Sequence, residues 1–365
     1  MQFIQKITHF VLRLIRVFLL GSAASFGMLT TIILLIVFTI AISSGADGAA
    51  SPEQKFSKET VLYGKEDAKN TFLAIRVNGV IMGEQAGVEG LGALFTQGLT
   101  YGYSVKEQLM EVADKNEVAG VILMIDSPGG TIFGSSAIAD GVQYYKEKTH
   151  KPVITYVAGM AASGGYWSAA SADLIMADHG TAIGSIGVIF GPIKYYDTVT
   201  EEDGGAFMGG VVTQGGIETT YITAGRSKDI GNPYRKLTKD EVAGLQRSVD
   251  DSYKQFVQYV SLKRKLPVAK ITTEVGAMIY GETQAVELGL IDAIGSKQDA
   301  FALLAQKAGV AGDAYKVVSQ HAADDFMSVL LSSFSKSQPP SVSSRTCALH
   351  SQVLAFHGDV LTLCP

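Results

Sequence analysis

The sequence has few of the residues that mark several large classes of protein. It carries two cysteines in 365 residues, too few for a scaffold built from disulfides. It contains no C-x-x-C, H-E-x-x-H, Walker A or G-x-G-x-x-G pattern. Zinc proteases of that signature, P-loop NTPases and standard dinucleotide enzymes are therefore disfavoured, and we expect no metal and no cofactor.

Basic residues are also scarce relative to acidic ones. Lys and Arg number 30 against 35 Asp and Glu, for a net charge of −5. No basic stripe lies beyond the first residues, so nucleic acid is not an expected partner. Charged residues make up 18% of the chain and apolar residues 47%, which is more apolar than an average soluble protein.

The apolar excess is concentrated at residues 17–42, which contain 26 residues without a charge. As a helix they would span about 39 Å, more than the ~30 Å hydrocarbon core of a bilayer. Three basic residues and no acidic one precede this segment, whereas the first charges after it are acidic. We therefore predict a single transmembrane helix in the inner (cell) membrane, with residues 1–16 cytoplasmic and the rest extracytoplasmic. A cleaved signal peptide is the alternative, but its apolar region would be shorter, ~7–15 residues.

The remaining chain divides by composition into three parts. Residues 43–69 are polar and are predicted to be a linker, and residues 324–365 a low-complexity tail that holds both Cys347 and Cys364. Residues 70–323 are enough for a large core. In them strand-like runs alternate with helix-like stretches, which predicts an α/β fold with a mainly parallel sheet. The strand-like runs are 72–77, 121–125, 153–157 and 174–177.

Three segments of this body carry residue types suited to catalysis. A buried strand ends in the glycine pair Gly129 and Gly130, whose backbone N–H groups could face a bound oxygen. Ser163 lies where a strand runs into a helix among small neighbours, although a serine there is commonly only a helix cap. Lys228 lies on a glycine-flanked loop, and the alternative interpretation is that it is an ordinary lysine on the surface.

A serine nucleophile needs a base, and the histidines fit this role poorly. His179 lies 16 residues after Ser163, and His150, 13 residues before it, falls in an expected solvent-facing loop. A lysine can serve if burial lowers its pKa from about 10.4 towards 7–8. Ser185, in Gly-Ser-Ile-Gly, is a candidate to hold the amine, with a buried turn serine as the alternative.

Five motifs in this order resemble those of the signal peptide peptidase A family, membrane-anchored serine–lysine peptidases, in its half-length form. The motifs lie at residues 125–130, 161–166, 184–188, 225–231 and 281–292. The resemblance implies the Clp-protease/crotonase-like fold, a ββα spiral, after the transmembrane helix.

Carried over residue by residue, the resemblance implies a role for each candidate. Ser163 would be the nucleophile, Lys228 the general base and Ser185 the residue that orients the lysine. The N–H groups of Gly130 and Gly164 would form the oxyanion hole. The chain would be a serine endopeptidase that acts through an acyl-enzyme.

The resemblance also implies partners. Family members form homo-oligomeric rings on the lipid bilayer, here expected to be octamers, in which dyads are completed across protomers. Substrates would be polypeptides, namely remnant signal peptides and unfolded membrane-proximal segments, with small residues preferred at P1 and P3.

Four other interpretations stay open at this stage. One is a sister serine–lysine protease that cuts stomatin-like or other membrane proteins. The others are an inactive crotonase-fold membrane scaffold, a Clp-like Ser-His-Asp enzyme that uses His179, and a crotonase acting on acyl-CoA.

Overall fold

The structure is a computed structural model, and the chain divides into two units, residues 1–55 and 56–365. The expected transmembrane segment 17–42, Cys347 and Cys364 lie outside the described residues. Within the described part, no helix is long and apolar enough to cross a membrane. The described residues are 56–84, 98–115, 117–196, 201–202, 211–212, 220–312, 314–322 and 354–357.

The described residues contain thirteen strands. They are β1 Phe56–Gly64, β2 Asn70–Met82, β3 Leu99–Tyr101, β4 Val118–Thr131, β5 Val153–Ala162, β6 Leu174–Ala177, β7 Ala182–Gly184, β8 Glu201–Glu202, β9 Val211–Val212, β10 Ile279–Gly281, β11 Ala293–Ile294, β12 Tyr315–Ala322 and β13 Leu354–Phe356.

Helices alternate with these strands through most of the described chain. They are α1 Gly102–Asp114, α2 Ile132–Thr149, α3 Gly164–Ala169, α4 Lys239–Arg264, α5 Val268–Lys270 with the π-helical turn Ile271–Val275, α6 Glu282–Leu288 and α7 Lys297–Lys307.

The main sheet has the order β1-β12-β2-β4-β5-β6-β11. From β12 to β11 each neighbouring pair is parallel, and β1 pairs with β12 in the antiparallel direction. Strands β3, β7 and β13 extend it beside β2, β5 and β4, and β10 pairs with β7. The predicted α/β fold with a mainly parallel sheet is confirmed for the described residues.

The central strands are apolar on both faces because helices cover both sides of the sheet. Along β2, Leu73 and Ile75 pack in the larger core cluster, which includes buried residues of α1, α2 and α4. Phe72 and Ala74, on the opposite face, pack with residues of α7. This alternation of period two fixes the register of β2, since a slip of one residue would exchange its two faces.

α4 begins with a capping box formed by Thr238 and Glu241. The Thr238 hydroxyl accepts from the Glu241 N–H at 3.2 Å, and the Glu241 carboxylate accepts from the Thr238 N–H at 2.8 Å. α4 ends at Arg264, two residues before Leu266 and three before Pro267, a residue type that cannot continue a helix.

Two segments differ from the expected organisation. Residues 56–64, within the expected linker 43–69, form β1, which pairs with β12 and packs Val61, Leu62 and Tyr63 against the core. Residues 354–357 belong to the expected tail 324–365, yet β13 pairs with residues 129–131 of β4. Three residues suffice to form β13 because the backbone N–H and C=O groups of β4 pair with them at that position.

Candidate active site

Ser163 occupies the corner between β5 and α3 in a backbone conformation that is rare for a residue with a side chain. Its φ is 54° and its ψ is −119°. Such a conformation costs about 1–3 kcal/mol and persists only where its surroundings enforce it. Here the Ser163 N–H donates to Gly184 O at 2.8 Å, and the side chain is buried. The hydroxyl donates to Gly187 O at 3.3 Å, so the strained corner holds Ser163 Oγ against the segment that follows β7.

Ser185 is brought beside Ser163 by the parallel pairing of β5 with β7. Ala162 pairs with Gly184, so the two serines follow neighbouring strand ends. Ser185 also has a positive φ, 52°, and its N–H donates to Met278 O at 2.7 Å. The structure therefore brings together two of the residues predicted for the site.

The glycines predicted for the oxyanion hole also meet at this corner. Gly130 pairs with Ile81 in β2 and is the last residue but one of β4, while Gly164 begins α3. A β-carbon placed on Gly164 would lie 3.2 Å from Gly130 N, so the two backbone amides adjoin. The preceding glycine, Gly129, has φ 100°, and its N–H donates to Ser127 Oγ at 3.1 Å. A side chain on Gly129 or Gly164 would enter the space beside the two amides, whereas one on Gly130 would collide with the backbone of Ile81.

The carboxyl-proximal strand β13 lies directly against these glycines. Ala355 pairs with Gly130, and the His357 N–H donates to Pro128 O at 2.7 Å. His357 Nδ1 lies 3.1 Å from Ser185 Oγ. The sequence alone does not predict this contact, because residues 354–357 fall within the expected low-complexity tail.

Lys228 is not brought to Ser163 within the described part of this single chain. It is exposed, on a turn in which its N–H donates to Gly225 O at 3.3 Å. The Ser163 hydroxyl bonds Gly187 O instead. The base predicted for the site therefore lies in solvent in the isolated chain.

Ion pairs between Arg235 and two carboxylates hold the turn that carries Lys228. Arg235 donates to both carboxylate oxygens of Asp229 at 2.7 Å and to both of Glu241 at 2.8 and 2.9 Å. The Arg235 guanidinium holds the pKa of the Asp229 and Glu241 carboxyls below their usual values. Glu241 also caps α4, so Arg235 ties this turn to the start of that helix. The role of Arg235 could not be predicted from the sequence, because no sequence motif pairs it with Asp229 and Glu241.

Apolar side chains are exposed on both sides of the same turn. The segment after Gly187 contacts it through the Tyr196 N–H, which donates to Pro233 O at 2.8 Å. Ile222 is 98% exposed. The exposed apolar residues of this surface, which we call the apolar arm, are Ile189, Ile193, Tyr195, Tyr196, Tyr221, Ile222 and Ile230.

His179 is exposed, and its described contacts lie away from Ser163. Its backbone N–H donates to the Asp178 carboxylate at 2.8 Å. Within the described ranges, no group of three or more His, Cys, Asp or Glu residues could hold a metal ion.

Two protein-family models match the chain. The model of peptidase family S49 matches residues 145–311, and the Clp protease model matches residues 100–176. Together they cover the corner with Ser163, Ser185 and the turn with Lys228, and the second supports a Clp-protease-like fold.

Curated relatives match over similar lengths. A putative protease of Methanocaldococcus jannaschii is 36% identical over 203 residues, 55% of this chain and 60% of that protein. A putative signal peptide peptidase of Enterococcus faecium is 31% identical over 246 residues, 67% of this chain and 65% of that protein. A putative protease of Synechocystis sp. is 33% identical over 204 residues, 56% of this chain and 68% of that protein. The chain thus spans somewhat less than two thirds of the first two relatives.

Proposed function

Since the chain belongs to peptidase family S49, we propose that it is a serine endopeptidase in which Ser163 attacks the peptide carbonyl. One observation carries this proposal above the others. Ser163 sits at a strained, buried corner with the amides of Gly130 and Gly164 beside it. Strain of this kind concentrates at functional sites, and paired N–H groups stabilise a developing oxyanion.

In the proposed mechanism, Ser163 Oγ adds to the carbonyl carbon while Lys228, neutral at that moment, takes the hydroxyl proton. The oxygen that becomes negative accepts from Gly130 and Gly164, and one such donor is typically worth about 3–4 kcal/mol. The proton then passes to the leaving amine, and water hydrolyses the acyl-enzyme. Ser185, beside Ser163, would orient the lysine amine.

Lys228 would reach Ser163 from a neighbouring copy of the chain. Its exposure in the single chain supports this, because burial by a partner would remove the amine from water. The apolar arm also supports it, since large exposed apolar surfaces mark contacts between proteins. The proposed state is a homo-oligomeric ring, with eight subunits as the size to test.

The proposed substrates are remnant signal peptides and unfolded membrane-proximal polypeptides. The name of the Enterococcus relative, a putative signal peptide peptidase, supports this class. The uncharged segment 17–42 supports anchoring of the peptidase to the inner membrane, facing the extracytoplasmic side.

Labelling of the full chain with a serine-directed acylating probe tests this function. We expect wild type to be labelled on Ser163, and Ser163→Ala and Lys228→Ala to lose labelling while they stay folded and assembled. Lys236→Ala, which changes another lysine close to the same turn, is the matched control and should still be labelled. A folded wild type that no probe modifies at any pH would favour an inactive scaffold instead.

A further inference from the structure

We propose that the hydroxyl of Ser135 is a third donor of the oxyanion hole, beside the amides of Gly130 and Gly164. In this proposal the hydroxyl turns to the oxygen that becomes negative when Ser163 attacks, and it keeps its own proton throughout. The inference rests on the proposed function and deepens it, since it adds a side chain to a hole that would otherwise consist of backbone alone.

Ser135 lies in the first turn of α2, directly after the end of β4. Thr131 is the N-cap residue of that helix, and its side chain accepts from the Gly134 N–H at 3.2 Å. The strand that carries Gly130 therefore continues without a loop into the helix that carries Ser135. This connection brings the hydroxyl to the edge of the sheet where the proposed nucleophile lies.

The position of the hydroxyl relative to the two amides carries the proposal. A β-carbon placed on Gly164 would lie 2.3 Å from Ser135 Oγ and 3.2 Å from Gly130 N. Because Gly164 has no side chain, the hydroxyl packs directly on its backbone, in the place that a side chain would take. Two amides and one hydroxyl thus surround a single point, and donors arranged in this way stabilise a developing negative charge.

Burial would make this hydroxyl effective as a donor. Ser135 and Ser163 are completely buried, and Gly130 and Gly164 are buried as well. Electrostatic interactions are stronger where water is excluded, and a hydrogen bond to a charged oxygen is about twice as strong as one to a neutral oxygen. The hydroxyl would therefore stabilise the oxyanion of the transition state more than the neutral carbonyl of the bound substrate.

The present contact of the hydroxyl can be given up without leaving a buried carbonyl unpaired. Ser135 Oγ donates to Thr131 O at 3.0 Å. In an α-helix the carbonyl of the N-cap residue also accepts the backbone N–H four residues later, which here is that of Ser135 itself. Rotation of the hydroxyl towards the oxyanion would leave Thr131 O with this helical partner. A serine of purely structural role can make the same contact to the carbonyl four residues earlier, so the experiment needs a readout that such a role would not change.

Kinetics of the full chain on a fluorogenic peptide with alanine before the cut bond test the proposal. Ser135→Ala should lower kcat about 10–100-fold and leave KM within about threefold, because the lost bond forms only in the transition state. The fall is smaller than the ~10²–10³-fold typical of one missing donor, since the hydroxyl must first leave Thr131 O.

Ser171→Ala is the matched control. Ser171 is also a buried serine, and its hydroxyl donates to Ser168 O at 2.6 Å just beyond the end of α3. Thermal unfolding should show a similar loss of stability in both variants, whereas kcat should fall only in Ser135→Ala. An equal fall of kcat in Ser171→Ala, or a rise of KM alone in Ser135→Ala, would overturn the role of Ser135.

Two inhibitors of the same peptide sequence separate an oxyanion donor from a structural residue. Ser163 Oγ adds to the carbonyl carbon of a peptide aldehyde, its proton passes to Lys228, and the former carbonyl oxygen becomes the anion in the hole. The corresponding alcohol has no carbonyl and binds only as a ground-state ligand does. In Ser135→Ala the inhibition constant of the aldehyde should rise by about the factor by which kcat falls, and that of the alcohol should stay within about threefold. Equal changes for the two inhibitors would overturn the proposal.

Wild type and Ser163→Ala, measured in parallel, separate this proposal from the proposed function. Suppose that wild type cuts the peptide, Ser163→Ala does not, and Ser135→Ala keeps the wild-type kcat within about threefold. The third donor is then overturned and the peptidase function stands. If wild type and Ser163→Ala both leave the peptide uncut, both proposals are overturned.

Discussion

Gly164→Ala tests the oxyanion hole with the smallest change that the site allows. The added methyl group would lie 2.9 Å from the carbonyl oxygen of Ala355 and 3.2 Å from Gly130 N. It would also collide with the hydroxyl of Ser135, which is buried and donates to Thr131 O at 3.0 Å. The methyl group therefore enters the space that the oxyanion would occupy.

The magnitude follows from two separate effects. Overpacking against Ser135 should lower the free energy of unfolding by about 1–3 kcal/mol. Obstruction of the hole should lower kcat by about 10²–10³-fold, the loss typical of one missing oxyanion donor. Since stability and activity are affected independently, they need separate measurements.

Gly165→Ala is the matched control. Its methyl group would crowd Ser127 O at 2.6 Å instead of the carbonyl of a bound peptide. Thermal unfolding should show a loss of stability of similar size in both variants. Cleavage of a fluorogenic peptide, measured as kcat/KM on folded protein, should fall steeply only in Gly164→Ala. Equal kcat/KM in the two variants, within about threefold, would refute the assignment of Gly164 to the hole.

Three further predictions concern the surroundings of the site. Arg235→Met should lower kcat by about 10–100-fold without loss of assembly, because misplacement of a catalytic group by 1 Å has such an effect; unchanged kcat would show that the salt bridges only stabilise the fold. The lowered pKa values of Asp229 and Glu241 mean that they stabilise the fold above their unfolded values, near 4, and stop doing so as the pH falls through the folded values. Hydrogen exchange of residues 225–235, corrected for intrinsic rates, should therefore rise between pH 5 and pH 3, and a flat profile would contradict this. Tyr259→Phe removes a buried hydroxyl that has no hydrogen-bond partner among the described residues, and it should stabilise the protein by about 1 kcal/mol in urea unfolding. Tyr166→Phe loses a 2.7 Å bond to a backbone carbonyl and should destabilise by about as much.

The central sheet could be predicted from the sequence because its strands are buried on both faces. The runs at 121–125 and 153–157 are continuous and apolar, and they lie within β4 and β5. The convergence of Gly130, Ser163 and Ser185 was also predictable. Their motifs fall at the carboxyl ends of parallel strands, and these ends meet at one edge of a sheet.

Two strands were not predicted, because each lies in a segment of mostly polar composition. β1 packs Val61, Leu62 and Tyr63 against the core beside β12, and β13 is only three residues long. β13 is held by a register with β4 that exists only once β5 has turned away. That geometry is tertiary, and the local sequence of residues 354–356 contains no sign of it.

The position of Lys228 and the position of β13 lead to one account of the site. In the single chain the proposed nucleophile and the proposed oxyanion amides lie together, but the proposed base is in solvent and Ser185 bonds the imidazole of His357. A chain in this state would lack, beside Ser163, the group proposed to accept its proton. Cleavage of a peptide substrate would therefore require a second copy to supply Lys228. The activity per subunit on a fluorogenic peptide should then rise with protein concentration, whereas an activity per subunit independent of concentration would mean that the base comes from the same chain.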